Sequence, residues 1–172
     1  MLFQNRWVFP AMAESDLAVG IAELKSASVS GRLVAYGLGS CVGVTLYDRF
    51  KKIGGLAHIM LPSSRMHSQV SVPGKYADTA VAALLEILGR EGADLKNLEA
   101  KLVGGANMFI SITHQAVPIG MRNVSAVRDQ LGLNGIKVKG EDIGGAQGRT
   151  IFFSLEDGKI EIRKLNQPTR LL

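Results

Sequence analysis

The sequence predicts a single α+β domain of about eight or nine strands and two main helices. Three observations carry that class. The first third alternates short apolar runs with glycine-rich or polar turns, the pattern of consecutive strands. Two later stretches switch to apolar residues three and four apart, the period of an amphipathic helix. No repeat, low-complexity run or linker divides the 172 residues, a length that buries a core without disulfide or metal staples.

Residues 17–24 (LAVGIAEL) read as a first strand and 32–36 (RLVAY) as a second, with 26–31 turning between them. A glycine turn at 37–41 leads into a strand over 42–47, a turn at 48–52 and a strand over 55–60 closed by Pro62. The polar stretch 63–74 is a loop of the length that often borders a site. From 76 to 90, Ala77, Ala80, Val81, Leu84, Leu85 and Leu88 recur at helical spacing, with Gly89 and Gly92 near the stop. Residues 100–103 form a short strand running into Gly104-Gly105-Ala106-Asn107-Met108-Phe109, and a second helix covers 122–131. A strand at 136–139, a glycine loop at 140–148 and a hairpin over 150–165 around Asp157-Gly158 complete the domain. Residues 1–16 and 166–172 are read as tails flanking a domain over 17–165.

Composition removes several classes of function. One cysteine cannot form an internal disulfide, and His58, His67 and His114 show no ligand spacing, so neither a disulfide scaffold nor a metal site is expected. No cofactor is implied. The 20 Lys and Arg against 15 Asp and Glu are scattered rather than striped, and aromatics are only 6%, which argues against nucleic acid. The N-terminal residues mix Phe3, Trp7 and Phe9 with polar side chains and lack a signal-peptide core, and no run reaches the roughly 20 apolar residues that span a bilayer. A cytoplasmic protein without membrane insertion is expected.

The informative feature is Cys41, the only cysteine, at the end of Gly37-Leu38-Gly39-Ser40-Cys41. A thiol placed where a glycine turn becomes a strand can be presented as a nucleophile. His58 falls on the next strand of the same hairpin, and a Cys/His pair is the smallest unit that makes a thiolate near neutral pH. Gly37-x-Gly39 is no dinucleotide or Walker loop, because the third glycine, the following helix and the Gly-Lys-Ser/Thr ending are all missing. It can instead aim the backbone N–H groups of Ser40 and Cys41 at a developing oxyanion. The bland alternatives are an inert thiol and a core histidine.

Six ordered segments give the chain a resemblance: Leu38-Gly39-Ser40-Cys41-Val42-Gly43-Val44, Ala57-His58-Ile59-Met60-Leu61-Pro62, Lys75-Tyr76-Ala77-Asp78-Thr79-Ala80, Lys101-Leu102-Val103-Gly104-Gly105-Ala106-Asn107-Met108-Phe109, Ile119-Gly120-Met121-Arg122-Asn123 and Asp142-Ile143-Gly144-Gly145. Together they resemble the chemoreceptor glutamine deamidase family, CheD. The resemblance implies a three-layer α/β/β sandwich with mixed sheets, akin to deamidating toxin domains. It also implies hydrolysis of glutamine side chains in methyl-accepting chemotaxis proteins to glutamate, and partnership with the chemotaxis phosphatase CheC where that protein exists. Cys41 corresponds to the family's nucleophile and His58 to its histidine. The third position, usually threonine six residues before the cysteine, is Ala35 here. Its backbone carbonyl is the favoured substitute for the missing hydroxyl; Tyr36 or a residue from another strand supplying the bond, or a slow enzyme, are the alternatives. Gly104, Gly105, Asn107, Met108 and Phe109 are candidates for gripping a receptor helix, while Arg122-Asn123 and Gly144-Gly145 are read as braces and Asp78 as a helix-start residue. The resemblance implies that the reaction passes through a Cys41 thioester; a rival reading is an adaptor that binds receptors or the phosphatase without turnover, and transamidation, with an amine replacing water at that thioester, is a third.

Overall fold

The computed structural model describes residues 16–65, 72–108 and 117–172. Its strands are β1 (Asp16–Ala18), β2 (Leu24–Ser28), β3 (Arg32–Leu38), β4 (Val42–Asp48), β5 (Ile53–Ile59), β6 (Leu98–Gly104), β7 (Lys137–Ile143), β8 (Arg149–Ser154), β9 (Ile160–Arg163) and β10 (Arg170–Leu171). The helices are α1 (Ala77–Arg90) and α2 (Ile119–Leu133). Two mixed five-stranded sheets result, one ordered β1-β3-β8-β9-β10 and the other β2-β5-β4-β6-β7.

The central strands β4 and β5 are buried at every position, so both faces of their sheet must be covered. One face carries Val42, Val44, Leu46, Ala57 and Ile59, and it packs against Ala80, Leu84 and Leu88 of α1 and Val124, Val127 and Leu131 of α2. The other face carries Tyr47 and Leu56 against Leu33, Ile151 and Phe153 of the first sheet. The order of layers is therefore helices, sheet, sheet, the α/β/β sandwich that the resemblance implies. Among the described residues no helix is long and apolar enough to cross a membrane.

Three stretches depart from the sequence expectation. The run at 17–24 is not one strand: β1 pairs in parallel with β3 of the first sheet, whereas β2 pairs with β5 of the second. Between them the chain turns at Gly20 and at Ala22, which takes a left-handed φ of 64°, and the Glu23 carboxylate accepts from the Gly20 N–H at 2.9 Å. The second part of β7 occupies residues expected to be loop. It is a parallel edge strand in which Lys137, Val138 and Lys139 are exposed and Glu141 and Asp142 follow, so the apolar signature of a strand is missing. The C-terminal residues expected as a tail hold β10, which pairs antiparallel with β9.

Candidate active site

Period-two alternation decides which side chains meet. In the β4–β5 pairing Gly43 stands opposite His58. Residues directly opposite share a face, and Cys41 lies two positions before Gly43. The thiol and the imidazole thus project from the same face of the sheet, diagonal to one another across the hairpin. Diagonal neighbours of this kind have Cβ atoms about 7–8 Å apart or somewhat less, within reach of a long side chain. Cys41 is partly buried and borders the core between the sheets, while His58 is almost wholly buried at 1% exposure.

His58 is held through both backbone and ring. Its N–H donates to the Glu23 carbonyl and its own carbonyl accepts from the Ala22 N–H, each at 2.9 Å. The ring Nδ1 lies 3.3 Å from the Val19 carbonyl oxygen. A carbonyl only accepts, so Nδ1 carries the hydrogen and Nε2 is left with its lone pair. Nε2 is buried and without a hydrogen-bond partner among the described residues. The main-chain acceptor expected at Ala35 is therefore supplied by Val19. Ala35 sits fully buried in β3, packed in the core between the sheets and paired with Ile151. The turn that joins the two sheets carries Val19 past the ring instead.

Burial pushes the Cys41 thiol above its ordinary range, only partly countered by its own backbone N–H. Burial likewise lowers His58 below its ordinary value, opposed by the Val19 carbonyl and the Glu23 charge. Both shifts favour the neutral thiol and the neutral imidazole over a thiolate–imidazolium pair at rest. The lowered histidine has a consequence for stability. An unfolded chain protonates this ring near about 6.5 whereas the fold resists it, so the unfolded state binds more protons below that pH. This contribution to stability is present above pH ~6.5 and is lost as pH falls through the lowered folded value. Tm is expected to decline from about pH 6.5 downward in the native chain, and His58→Gln should flatten that part of the curve. Equal slopes for the two proteins would contradict it.

The segment after β6 wraps the thiol turn. Gly105 and Ala106 donate their N–H groups to the carbonyls of Cys41 and Gly39, both at 2.8 Å. Gly104 has φ of +118°, and a Cβ there would lie 2.3 Å from the Cys41 carbonyl oxygen, so only glycine permits this approach. Asn107 donates its N–H to the Gly145 carbonyl, and Gly144 donates to Gly104, which joins the two glycine segments. Met108 is half exposed and lays its sulfur where a Cβ on Gly39 would be. Phe109 lies outside the described residues, as does His67. Asp78 accepts from Ser63 and Ser64 and stays structural.

Three contributors are not legible in the sequence. Val19 and Glu23 fall inside the strand expected over 17–24, although Gly20 in the middle of an apolar run is a recognised sign of a break. The partners of Asn123 depend on how α2 docks, for which local sequence carries no signal.

Comparison with known proteins places the chain among similar sequences of one kind. Residues 60–164 match the model of a family described as "CheD chemotactic sensory transduction". A protein of Clostridium novyi named "Probable chemoreceptor glutamine deamidase CheD" is 47% identical over 162 residues, covering 94% of this chain and 100% of that protein. Proteins of the same name are 40% identical over 151 residues in Thermococcus kodakarensis and 54% identical over 130 residues in Methanococcus vannielii. Those matches cover 88% and 76% of this chain, and 94% and 83% of the two relatives.

Proposed function

This chain belongs to the CheD family, and on that premise we propose that it hydrolyses glutamine side chains of chemoreceptors to glutamate, with Cys41 as nucleophile and His58 as base. One observation carries the reading: Val19 fixes the imidazole so that its unbonded Nε2 remains on the face shared with the only cysteine. Nε2 takes the thiol proton as sulfur attacks the amide carbon. The backbone N–H groups of Ser40 and Cys41 receive the tetrahedral oxyanion. The C–N bond then breaks, the imidazolium returns its proton to the departing ammonia, and water hydrolyses the thioester to glutamate and free thiol. A glutamate methyl ester has the same acyl carbon and a better leaving group, so receptor methylesterase activity follows as a side reaction.

The surroundings suit a helical substrate in the cytoplasm. Met60, Met108, Ile119 and Met121 are exposed apolar side chains on the segments beside the thiol turn. Methionine adapts its shape to varied partners. The same surface would serve a CheC-type phosphatase where one is present. Ala35 offers no hydroxyl to the ring and so keeps an adaptor without turnover as the second reading. Incubation with a receptor cytoplasmic fragment separates the two. Peptide mass spectrometry is expected to show particular glutamines converted to glutamate in proportion to enzyme. Tight binding with every glutamine intact would establish the adaptor.

A further inference from the structure

Asn123 lies in the first turns of α2, fully buried, on the far side of the sheet from the imidazole. Its single side-chain NH2 group donates to two carbonyls, that of Ser40 at 2.9 Å and that of Met60 at 3.0 Å. Ser40 immediately precedes the thiol residue, and Met60 follows His58 by two positions. Each end is bonded elsewhere, Cys41 to Gly105 and Met60 to Lys75, but no ladder bond joins one end to the other, since the β4–β5 pairing stops at Val42 and Ile59. The amide therefore closes the open end of the hairpin at the level where the two reactive side chains must meet. Its Oδ1 is buried without a hydrogen-bond partner among the described residues. Leaving a buried acceptor unpaired destabilises the fold, a penalty that an apolar residue of similar size in this core position would avoid. That the position nevertheless holds an amide argues that the paired donors matter more than local packing.

We propose that Asn123 is a positioning residue: by clamping Ser40 to Met60 it sets the separation and alignment of Cys41 and His58. The proposal rests on the thiol–imidazole reading of the site, and its test is built to fail separately from that reading. Misplacement of reacting groups by about 1 Å costs on the order of 10²-fold in rate. Loss of both clamp bonds in Asn123→Ala should therefore lower kcat for glutamine conversion by roughly 10²-fold with KM little changed. Asn123→Ser keeps a hydroxyl donor one bond shorter than the amide, so it bonds a carbonyl only after the helix and hairpin end draw closer, and it should fall between. If the alanine variant does not fold, the serine variant carries the comparison. Val127→Ala removes buried volume one turn further along α2, against the same hairpin face but without removing either clamp bond, and so controls for loosened packing.

The second readout needs no substrate. With a single cysteine in the chain, the rate of iodoacetamide alkylation against pH reports Cys41 alone. The expected result is that Asn123→Ala shifts this profile toward that of His58→Ala, whereas Val127→Ala leaves it at the native position despite a comparable loss of Tm. If His58→Ala alters the profile but Asn123→Ala matches Val127→Ala in profile and kcat, the positioning role is overturned and the Cys/His reading stands. If His58→Ala leaves the profile unchanged, the pair itself is refuted, and the clamp has nothing to position.

Discussion

Replacing Cys41 with alanine is expected to lower kcat/KM on a receptor fragment by on the order of 10⁴- to 10⁶-fold, the loss seen when a covalent nucleophile is deleted from a hydrolase. Stability should change little by comparison. The thiol is only partly buried at the border of the inter-sheet core, and a substitution of one small atom at such a place is worth within about 1 kcal/mol. Cys41→Ser should be nearly as inactive, because His58 is held neutral by burial and is a weak base for a hydroxyl far less acidic than a thiol. Kinetics and melting curves on the same preparations check both halves of this expectation. Turnover at the native rate by the serine variant would contradict a thiolate mechanism.

The largest effect on stability is expected at Asp142. This carboxylate is 5% exposed and is met by Arg149 Nε at 2.7 Å, Lys164 Nζ at 2.9 Å and Arg170 Nη1 at 2.8 Å. Burial alone would raise its pKa, but the bonds from Lys164 and Arg149 outweigh that and hold it below the usual carboxylate range. Arg149 is itself buried, and its remaining donors reach the carbonyls of Gly144 and Gln147. Asp142→Ala leaves that guanidinium buried and uncompensated, a change that costs about 3–5 kcal/mol. For a domain of this size Tm should fall by roughly 6–20 °C. Lys164 and Arg170 are more exposed and contribute less, being screened by water. Because Gly144 and Gly145 bond to Gly104 and Asn107, the loosening should also reach the segment that wraps Cys41. A loss below about 1 kcal/mol would mean that the network behaves as a surface ion pair.

What sequence could and could not show follows from where each signal resides. Apolar period and turn chemistry are local, so α1, the β4–β5 hairpin and the 150–165 hairpin are legible, and with them the placing of Cys41 and His58 on neighbouring strands. The shared face of those two residues is also legible in principle, since the short turn fixes the hairpin register. The acceptor for the imidazole is not. It comes from Val19, brought across by a crossover between two sheets, and the strand expected over 17–24 hid that crossover. Ala35 attracted attention because the resemblance marks its position, whereas the fold buries it among core residues and assigns orientation of the ring to another backbone carbonyl. Edge strands such as β7 and β10 escape for a different reason: solvent covers one or both faces, so charged residues interrupt the alternation.

The claim that Cys41 forms a thioester with the substrate glutamine is tested most directly by adding hydroxylamine to the deamidation reaction. Hydroxylamine competes with water for an acyl-enzyme but does not replace the thiol in forming it. Peptide mass spectrometry of the receptor fragment is expected to show glutamyl hydroxamate at the same positions that otherwise become glutamate, in a share that rises with hydroxylamine and vanishes in Cys41→Ala. Glutamate as the sole product at every hydroxylamine concentration, with conversion persisting in Cys41→Ala, would contradict covalent catalysis by this cysteine.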